Sequence, residues 1–261
     1  MNYCMKLGKK SNPLVTIITV CYNAETTIEK TILNVINQTY ADIEYIIIDG
    51  GSNDGTIEII NKYANKISYW MSEPDRGIYD AMNKGIKLAK GDWVSFMNSG
   101  DSFYSLDTVE DVVQFIREEY DVIYGSMNVV CDSFSKIIHP KMKASKKNPM
   151  PFNHQSVFVK TVLLQKYPFD LSFKYAADYD FFCRIFDFSK YVFFDKVIAT
   201  YDISGVSSIN GIGVNRERIK ANPCFYNYYI QVLCVRNYII RKILISLKMD
   251  KMLNLLRKCV Y

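Results

Sequence analysis

The 261-residue chain has seven cysteines but no C-x-x-C pair. Cys4, Cys21, Cys131, Cys183, Cys224, Cys234 and Cys259 are odd in number and scattered. That argues against a zinc site or a disulfide framework and fits a reducing compartment. No G-x-G-x-x-G follows the first apolar run and no G-x-x-x-x-G-K-[ST] occurs, which disfavours a dinucleotide dehydrogenase and a P-loop NTPase. G-x-S-x-G is also missing, and only His139 and His154 are available for a triad, so hydrolase chemistry is disfavoured. Asp49-Gly-Gly-Ser-Asn-Asp-Gly55 fails as a calcium loop because its third position is Gly and its sixth is Asp. Tyr228 to Leu247 comes nearest to a membrane span but is broken by Arg236, Arg241 and Lys242, so no spanning helix is expected. Met1 to Asn12 is polar and basic with no apolar run behind it, and no signal peptide is expected.

What is present is an ordinary globular balance, 49% hydrophobic and 23% charged, enough for a substantial core in one large domain or one domain plus an appendage. The formal net charge of +5 is uneven. Before Val214 there are 22 basic and 25 acidic residues, or −3; from Val214 onward there are 10 and 2, or +8. The sequence describes a mildly acidic body with a basic tail. No nucleic-acid-binding module accompanies that charge, so no nucleic-acid partner is expected.

The first half alternates two hydrophobic periods. Strands are expected at Leu14–Val20, Tyr45–Ile48, Ser68–Met71, Trp93–Met97 and Asp121–Tyr124. Between them, helical spacing appears at Ile28, Ile32, Val35 and Ile36, at Ile57, Ile60 and Tyr63, at Ile78, Met82, Ile86 and Ala89, and at Val109, Val112, Val113 and Ile116. Asp54 and Asp107 stand where caps would open two of these helices. The alternation implies βαβ units and an α/β fold with a mainly parallel sheet. A linker is expected near Gly205 to Gly213, dividing a body of residues 1–208 from a C-terminal region, 209–261.

Ligands of an open α/β sheet bind at the carboxyl ends of its strands. Those ends carry Asn23, Asp49, the Glu73-Pro-Asp-Arg76 turn and Asn98-Ser-Gly-Asp101, a carboxylate-bearing set that calls for a cation or hydrogen-bond donors. Pro13-Leu-Val-Thr-Ile-Ile-Thr-Val-Cys-Tyr-Asn23, Ile48-Asp-Gly-Gly-Ser-Asn-Asp-Gly-Thr56 and Met97-Asn-Ser-Gly-Asp101 resemble, in order and spacing, the signatures of family 2 inverting glycosyltransferases. Glu73-Pro-Asp-Arg-Gly-Ile-Tyr-Asp-Ala-Met-Asn-Lys-Gly85 falls where that family has its intervening motif. The similarity covers roughly Pro13 to Ser208, and the D-G-G-S and M-N-S-G-D variants resemble a bacterial subgroup that builds O-antigen or capsular polysaccharide.

The resemblance implies the GT-A fold, a Rossmann-like nucleotide-diphosphosugar-binding sheet, with residues 13–101 as the donor half and 102–208 as the acceptor side. It implies that Thr19, Cys21, Tyr22 and Asn23 approach base and ribose and that Asp49 meets the base, most readily uracil of a UDP-sugar. Arg76, Asn83, Asn98, Ser99 and Gly100 would face the rest of the donor. Asp101 would hold the divalent metal, Mg2+ or Mn2+, on the diphosphate. Some positions depart from the family pattern: Gly50, Asn98 and Gly100 replace acids, and Ala81-Met82-Asn83 lacks an Arg.

An inverting transfer needs one carboxylate to take the acceptor's proton. Tyr175-Ala-Ala-Asp178-Tyr-Asp180 resembles the family's catalytic segment, with Asp178 in the base position and a helix beginning there whose Phe182, Ile185 and Phe186 are buried. Asp180 is spaced to pair with Arg184. His154 and Gln155 are candidates for the acceptor side. From Pro223 to Leu256, apolar and aromatic residues interleave with Arg and Lys as in amphipathic helices that lie on an anionic membrane surface. The corresponding expectation is a cytoplasmic protein peripheral at the inner leaflet, acting on a glycan or lipid-linked oligosaccharide. A degenerate nucleotide-sugar-binding or partner-binding protein, and a sugar nucleotidyltransferase, are the alternatives.

Overall fold

The computed structural model describes residues 12–131, 134–140, 143–202, 211–223 and 240. Among them, nine strands share one sheet: β1 (Val15–Cys21), β2 (Ile43–Asp49), β3 (Tyr69–Ser72), β4 (Trp93–Phe96), β5 (Ser102–Phe103), β6 (Val122–Cys131), β7 (Phe134–Ile138), β8 (Val157–Lys160) and β9 (Tyr191–Asp202). The helices are α1 (Ile28–Ile36), α2 (Thr56–Lys62), α3 (Ile78–Leu88), α4 (Thr108–Phe115), α5 (Thr161–Lys166), α6 (Ala177–Ile185) and α7 (Gly211–Ala221). Nearly all of the amphipathic helical region expected from Pro223 onward lies outside the described residues, as do residues 205–210 of the expected linker, whose last three residues open α7.

The strand order is β3-β2-β1-β4-β8-β6-β9-β5, with β7 hairpinned onto β6. The four strands β3, β2, β1 and β4 pair parallel, as the alternation with helices requires. Beyond β4 the sheet is mixed: β8 runs antiparallel to both β4 and β6, β9 parallel to β6, and β5 antiparallel to β9. The mainly parallel pairing expected from sequence thus runs unbroken from β3 to β4 and returns between β6 and β9, interrupted by the antiparallel β8, β7 and β5. β6 outruns its expected end at Tyr124, continuing to Cys131 to build the hairpin with β7.

Every residue of β1 is buried, and its side chains alternate between two cores. Ile18 and Val20 join Ile46 and Ile48 of β2 beneath α3 and α6. Val15 and Ile17 join Tyr45 and Ile47 on the opposite face, packed with Ile28 and Ile32 of α1 and Val109 and Val112 of α4. Burial on both faces is why these strands read as continuous β-branched runs rather than alternating ones. A Cβ at Gly85 would stand 2.7 Å from Ile18 Cγ2, so this helical glycine lets α3 lie close against β1. Phe181, Phe182 and Ile185 seat α6 in the first core. Phe186, expected on the same buried face, instead opens a 3-10 turn, Phe186–Phe188, and is half-buried because the chain there turns away toward β9.

Candidate active site

β1, β2 and β4 are parallel neighbours, so their carboxyl ends open on one edge of the sheet. β8 is antiparallel to β4, and the 3-10 turn His154–Ser156 that precedes it is carried to the same edge. Residues far apart in sequence thus converge.

At the end of β2, Asp49 is fully buried, and its carboxylate accepts from the Gly51 and Ser52 amides, the Ser52 and Ser72 hydroxyls and the Cys21 thiol. Burial raises its pKa, but these donors outweigh it and hold the carboxyl below the ordinary range. A carboxylate offers about four acceptor positions, and all are used within the protein. Asp49 thus ties together the loop that follows its strand. Cys21 is buried, and its thiol is pushed well up, first by burial and then by Asp49. Thr19 is likewise enclosed: its hydroxyl donates to the Met97 carbonyl at 2.7 Å and meets the Tyr45 hydroxyl at 3.0 Å. Strand burial encloses the Thr19 side chain within the sheet, while Cys21, at the strand's end, borders the cleft described below.

Tyr22 and Asn23 lie beyond the strand. Tyr22 is 63% exposed. Asn23 adopts a left-handed φ of 46°, accepts from the Asn53 amide at 3.0 Å through its side chain and donates its own amide to Ser52 Oγ at 2.7 Å. Asn at positive φ is among the least costly non-glycine choices. Val20, Cys21, Tyr22, Asp75, Gly77, Ile78 and Ala81 line a cleft of about 260 Å³. Asp75, within the Glu73–Arg76 turn, has its carboxylate 2.5 Å from where a Cβ at Gly50 would be. It occupies space left by the residue that departs from the family pattern. Arg76 turns back to ion-pair with Asp80 at 2.9 Å and is exposed to solvent. Asn83 is not at the cleft: its amide clamps the Phe169 backbone, donating to the carbonyl and accepting from the N–H, each at 2.9 Å.

The motif after β4 turns at Gly100, whose φ of +96° suits glycine. Ser99 Oγ meets Thr27 Oγ1 at 2.8 Å, and Thr31 Oγ1 accepts from the Gly100 amide at 3.0 Å. Asp101 is 5% exposed and accepts from Gln155 Nε2 at 3.1 Å. Burial pushes its carboxyl up to about 6, against the Gln155 hydrogen bond and the charge of His154. The buried Asn98 Oδ1 has no hydrogen-bond partner. Among the described residues no group of three His, Cys, Asp or Glu side chains could hold an ion, and Asp101 is the one carboxylate of the Asn98–Asp101 motif. A desolvated carboxylate fits a hard oxygen-seeking ion that completes its shell with phosphate and water.

His154 bridges the two halves. Its Nε2 lies 2.9 Å from Asn98 Nδ2 and its Nδ1 lies 3.5 Å from Asp178 Oδ2. The Nδ1 side of the ring faces the Asp178 carboxylate and hydrogen-bonds to it. Tyr79 Oη donates to Asp178 Oδ1 at 3.0 Å, as does the Tyr179 amide at 2.8 Å. Burial raises the Asp178 pKa; the hydrogen bond and charge of His154, then Arg218 and the Tyr179 amide, outweigh it and hold the carboxyl below the usual range. Asp180 pairs with Arg184 at 2.8 Å, as its spacing requires. Tyr79 was read only as part of a motif; its role as a donor to Asp178 crosses 99 residues of sequence and leaves no local pattern.

The sheet, parallel from β3 to β4 and mixed beyond, makes a Rossmann-like α/β fold with carboxylates gathered at one edge. The model of glycosyl transferase family 2 matches residues 16–191, and the chain belongs to that family. An uncharacterised glycosyltransferase of Mycobacterium tuberculosis is 33% identical over 76% of this chain and 78% of its own length. A PGL/p-HBAD biosynthesis glycosyltransferase of the same species is 29% identical over 85% and 89%. Among solved structures, Staphylococcus aureus TarS 1-349 in complex with UDP-GlcNAc matches with a TM-score of 0.64 at 20% identity, covering 86% of this chain and 71% of that one. The Pyrobaculum calidifontis mannosyltransferase PcManGT with GDP-Man and Mn2+ also gives 0.64, at 18% identity and coverage of 80% and 63%.

Proposed function

We propose that this glycosyltransferase is metal-dependent and inverting, and moves a sugar from a nucleotide-diphosphate donor, a UDP-sugar, to a hydroxyl of a lipid-linked glycan in bacterial cell-surface polysaccharide or glycolipid synthesis. The observation that carries the reading is the convergence of Asp178 and the Asn98–Asp101 motif on one His154 ring. The TarS complex with UDP-GlcNAc and the mannosyltransferase complex with GDP-Man and Mn2+ support the donor class and the metal. The mycobacterial glycolipid enzyme supports the acceptor class.

In this reading the nucleoside lies in the cleft between Tyr22 and Asp75–Ile78, with Asp75 as the acid that faces it. Asp101 would hold Mg2+ or Mn2+, and the bound ion would neutralise the charge that develops on the leaving diphosphate. Asp178 takes the proton of the acceptor hydroxyl as its oxygen attacks the anomeric carbon from the face opposite the diphosphate. Tyr79 and His154 each aim a donor at that carboxylate, keeping it ionised and oriented before the acceptor arrives. The +8 segment from Val214 is the contact with an anionic inner leaflet, where a lipid-linked acceptor is presented. Among the described residues no helix is long and apolar enough to cross a membrane.

The test is nucleotide release from a panel of UDP- and GDP-sugars with and without Mn2+, followed by the anomeric configuration of any transfer product. Mn2+-dependent release from a UDP-sugar and an inverted product are expected. A retained configuration, or release from none of the panel, contradicts the reading.

A further inference from the structure

By sequence α7 opens the basic C-terminal segment, yet its one acidic residue points into the body. Glu217 Oε1 accepts from the Lys174 amide at 2.9 Å, and Oε2 accepts from the Tyr175 amide at 2.7 Å and the Ala176 amide at 2.9 Å. These three consecutive amides run directly into α6, whose N-cap is Ala176 and whose second residue is Asp178. Ala176 supplies no side-chain cap, so the Glu217 carboxylate brings negative charge to the positive end of that helix from outside it.

The neighbours of Glu217 grip the same stretch. The Arg218 guanidinium lies 5.3 Å from the Tyr179 ring centroid. Lys220 Nζ lies 4.3 Å from the Phe173 ring and 3.3 Å from Ser172 Oγ. Residues 172 to 179 are thus held along their length by successive positions of α7. The later turns of α6 need no such help, because Phe181, Phe182 and Ile185 anchor them in the core. What α7 fixes is the first turn, where Asp178 projects.

We infer that Glu217 is a positioning residue for Asp178, and that α7, at the start of the C-terminal segment, is part of the catalytic apparatus. The inference rests on the transferase reading above. Three charge-assisted bonds to backbone amides define where the helix begins, and small misplacements of a reacting group cost about a hundredfold in rate. Glutamine is isosteric but cannot replace this carboxylate, since its NH2 would oppose one or more of the three N–H donors.

The experiment uses the full chain and its Glu217→Gln variant with Mn2+ and whichever UDP- or GDP-sugar the wild type turns over fastest. The expected result is a kcat lower by about ten- to a hundredfold, with donor KM and UDP affinity within about twofold of wild type. Hydrogen exchange at amides 174–176 should accelerate while that at 181–185 does not. Glu217→Asp, which keeps the charge on a shorter arm, should fall between the two and serves if Glu217→Gln does not fold. An unchanged kcat, or unchanged exchange at 174–176, overturns the assignment. Parallel losses of UDP binding and thermal stability in both variants would show a merely structural role and overturn it as well. Wild-type inactivity with every donor would overturn the transferase reading itself, and the inference with it.

Discussion

Replacing Tyr79 by Phe removes one oxygen atom and changes little else. The ring packs against Phe169 with centroids 5.4 Å apart and is buried, so phenylalanine fits the space. What disappears is the hydrogen bond to Asp178 Oδ1 at 3.0 Å. A hydrogen bond to a charged acceptor contributes about 1.5–3 kcal/mol. Since about 1.4 kcal/mol corresponds to one pKa unit, the Asp178 pKa should rise by about 1–2 units. The sign follows from the state the bond favours. Asp178 is held below the ordinary carboxylate range, so its base form is present at neutral pH and is lost as pH falls through that lowered value. Losing a donor to the ionised form raises the folded pKa, and the acid limb of the kcat profile should move to higher pH. His154 and Arg218 still face the carboxylate, so the shift is partial. The assay is nucleotide release against pH between about 4 and 8 with saturating donor and Mn2+. An acid limb that does not move in Tyr79→Phe would refute Asp178 as the titrating base.

Asp101→Asn should abolish the strengthening of UDP binding by Mn2+, measured by calorimetry. In the wild type that strengthening should fade as pH falls through about 6, where protons compete for the buried carboxylate. Asn83→Ala removes both hydrogen bonds to the Phe169 backbone; it should destabilise by about 1–3 kcal/mol in a denaturant titration and leave UDP affinity unchanged. A loss of UDP affinity without destabilisation would return Asn83 to the donor site. Flotation with anionic liposomes should carry the full chain in a salt-sensitive manner. A chain ending at residue 223, which keeps Glu217, should stay behind, and equal flotation of both would contradict the membrane role of the tail.

The donor half was the most legible part of the sequence because its strands are buried on both faces and its helices are amphipathic, two periods that local pattern reveals. The second half was less so. β8 and β9 enter the sheet in directions set by tertiary pairing, and the helical reading of Phe186 failed where the chain leaves α6 one residue early. Motif positions marked where site residues gather but not which atoms are free. Asp49 and Thr19 sit at motif positions yet spend their hydrogen-bonding groups inside the protein. Asp75 stands at the cleft because of a glycine 25 positions earlier. Charge counting placed Glu217 in a basic tail, and only the three backbone amides it accepts from reveal its place in the body.

The central claim is that Asp178 is the base of a nucleotide-sugar transfer. The most direct measurement compares wild type and Asp178→Asn for Mn2+-dependent turnover of the best donor in the panel, alongside UDP binding to each. Asparagine keeps the shape but cannot take a proton, so turnover should fall at least about a thousandfold while UDP affinity is unchanged. Substantial turnover in Asp178→Asn, with UDP binding intact, would contradict the account.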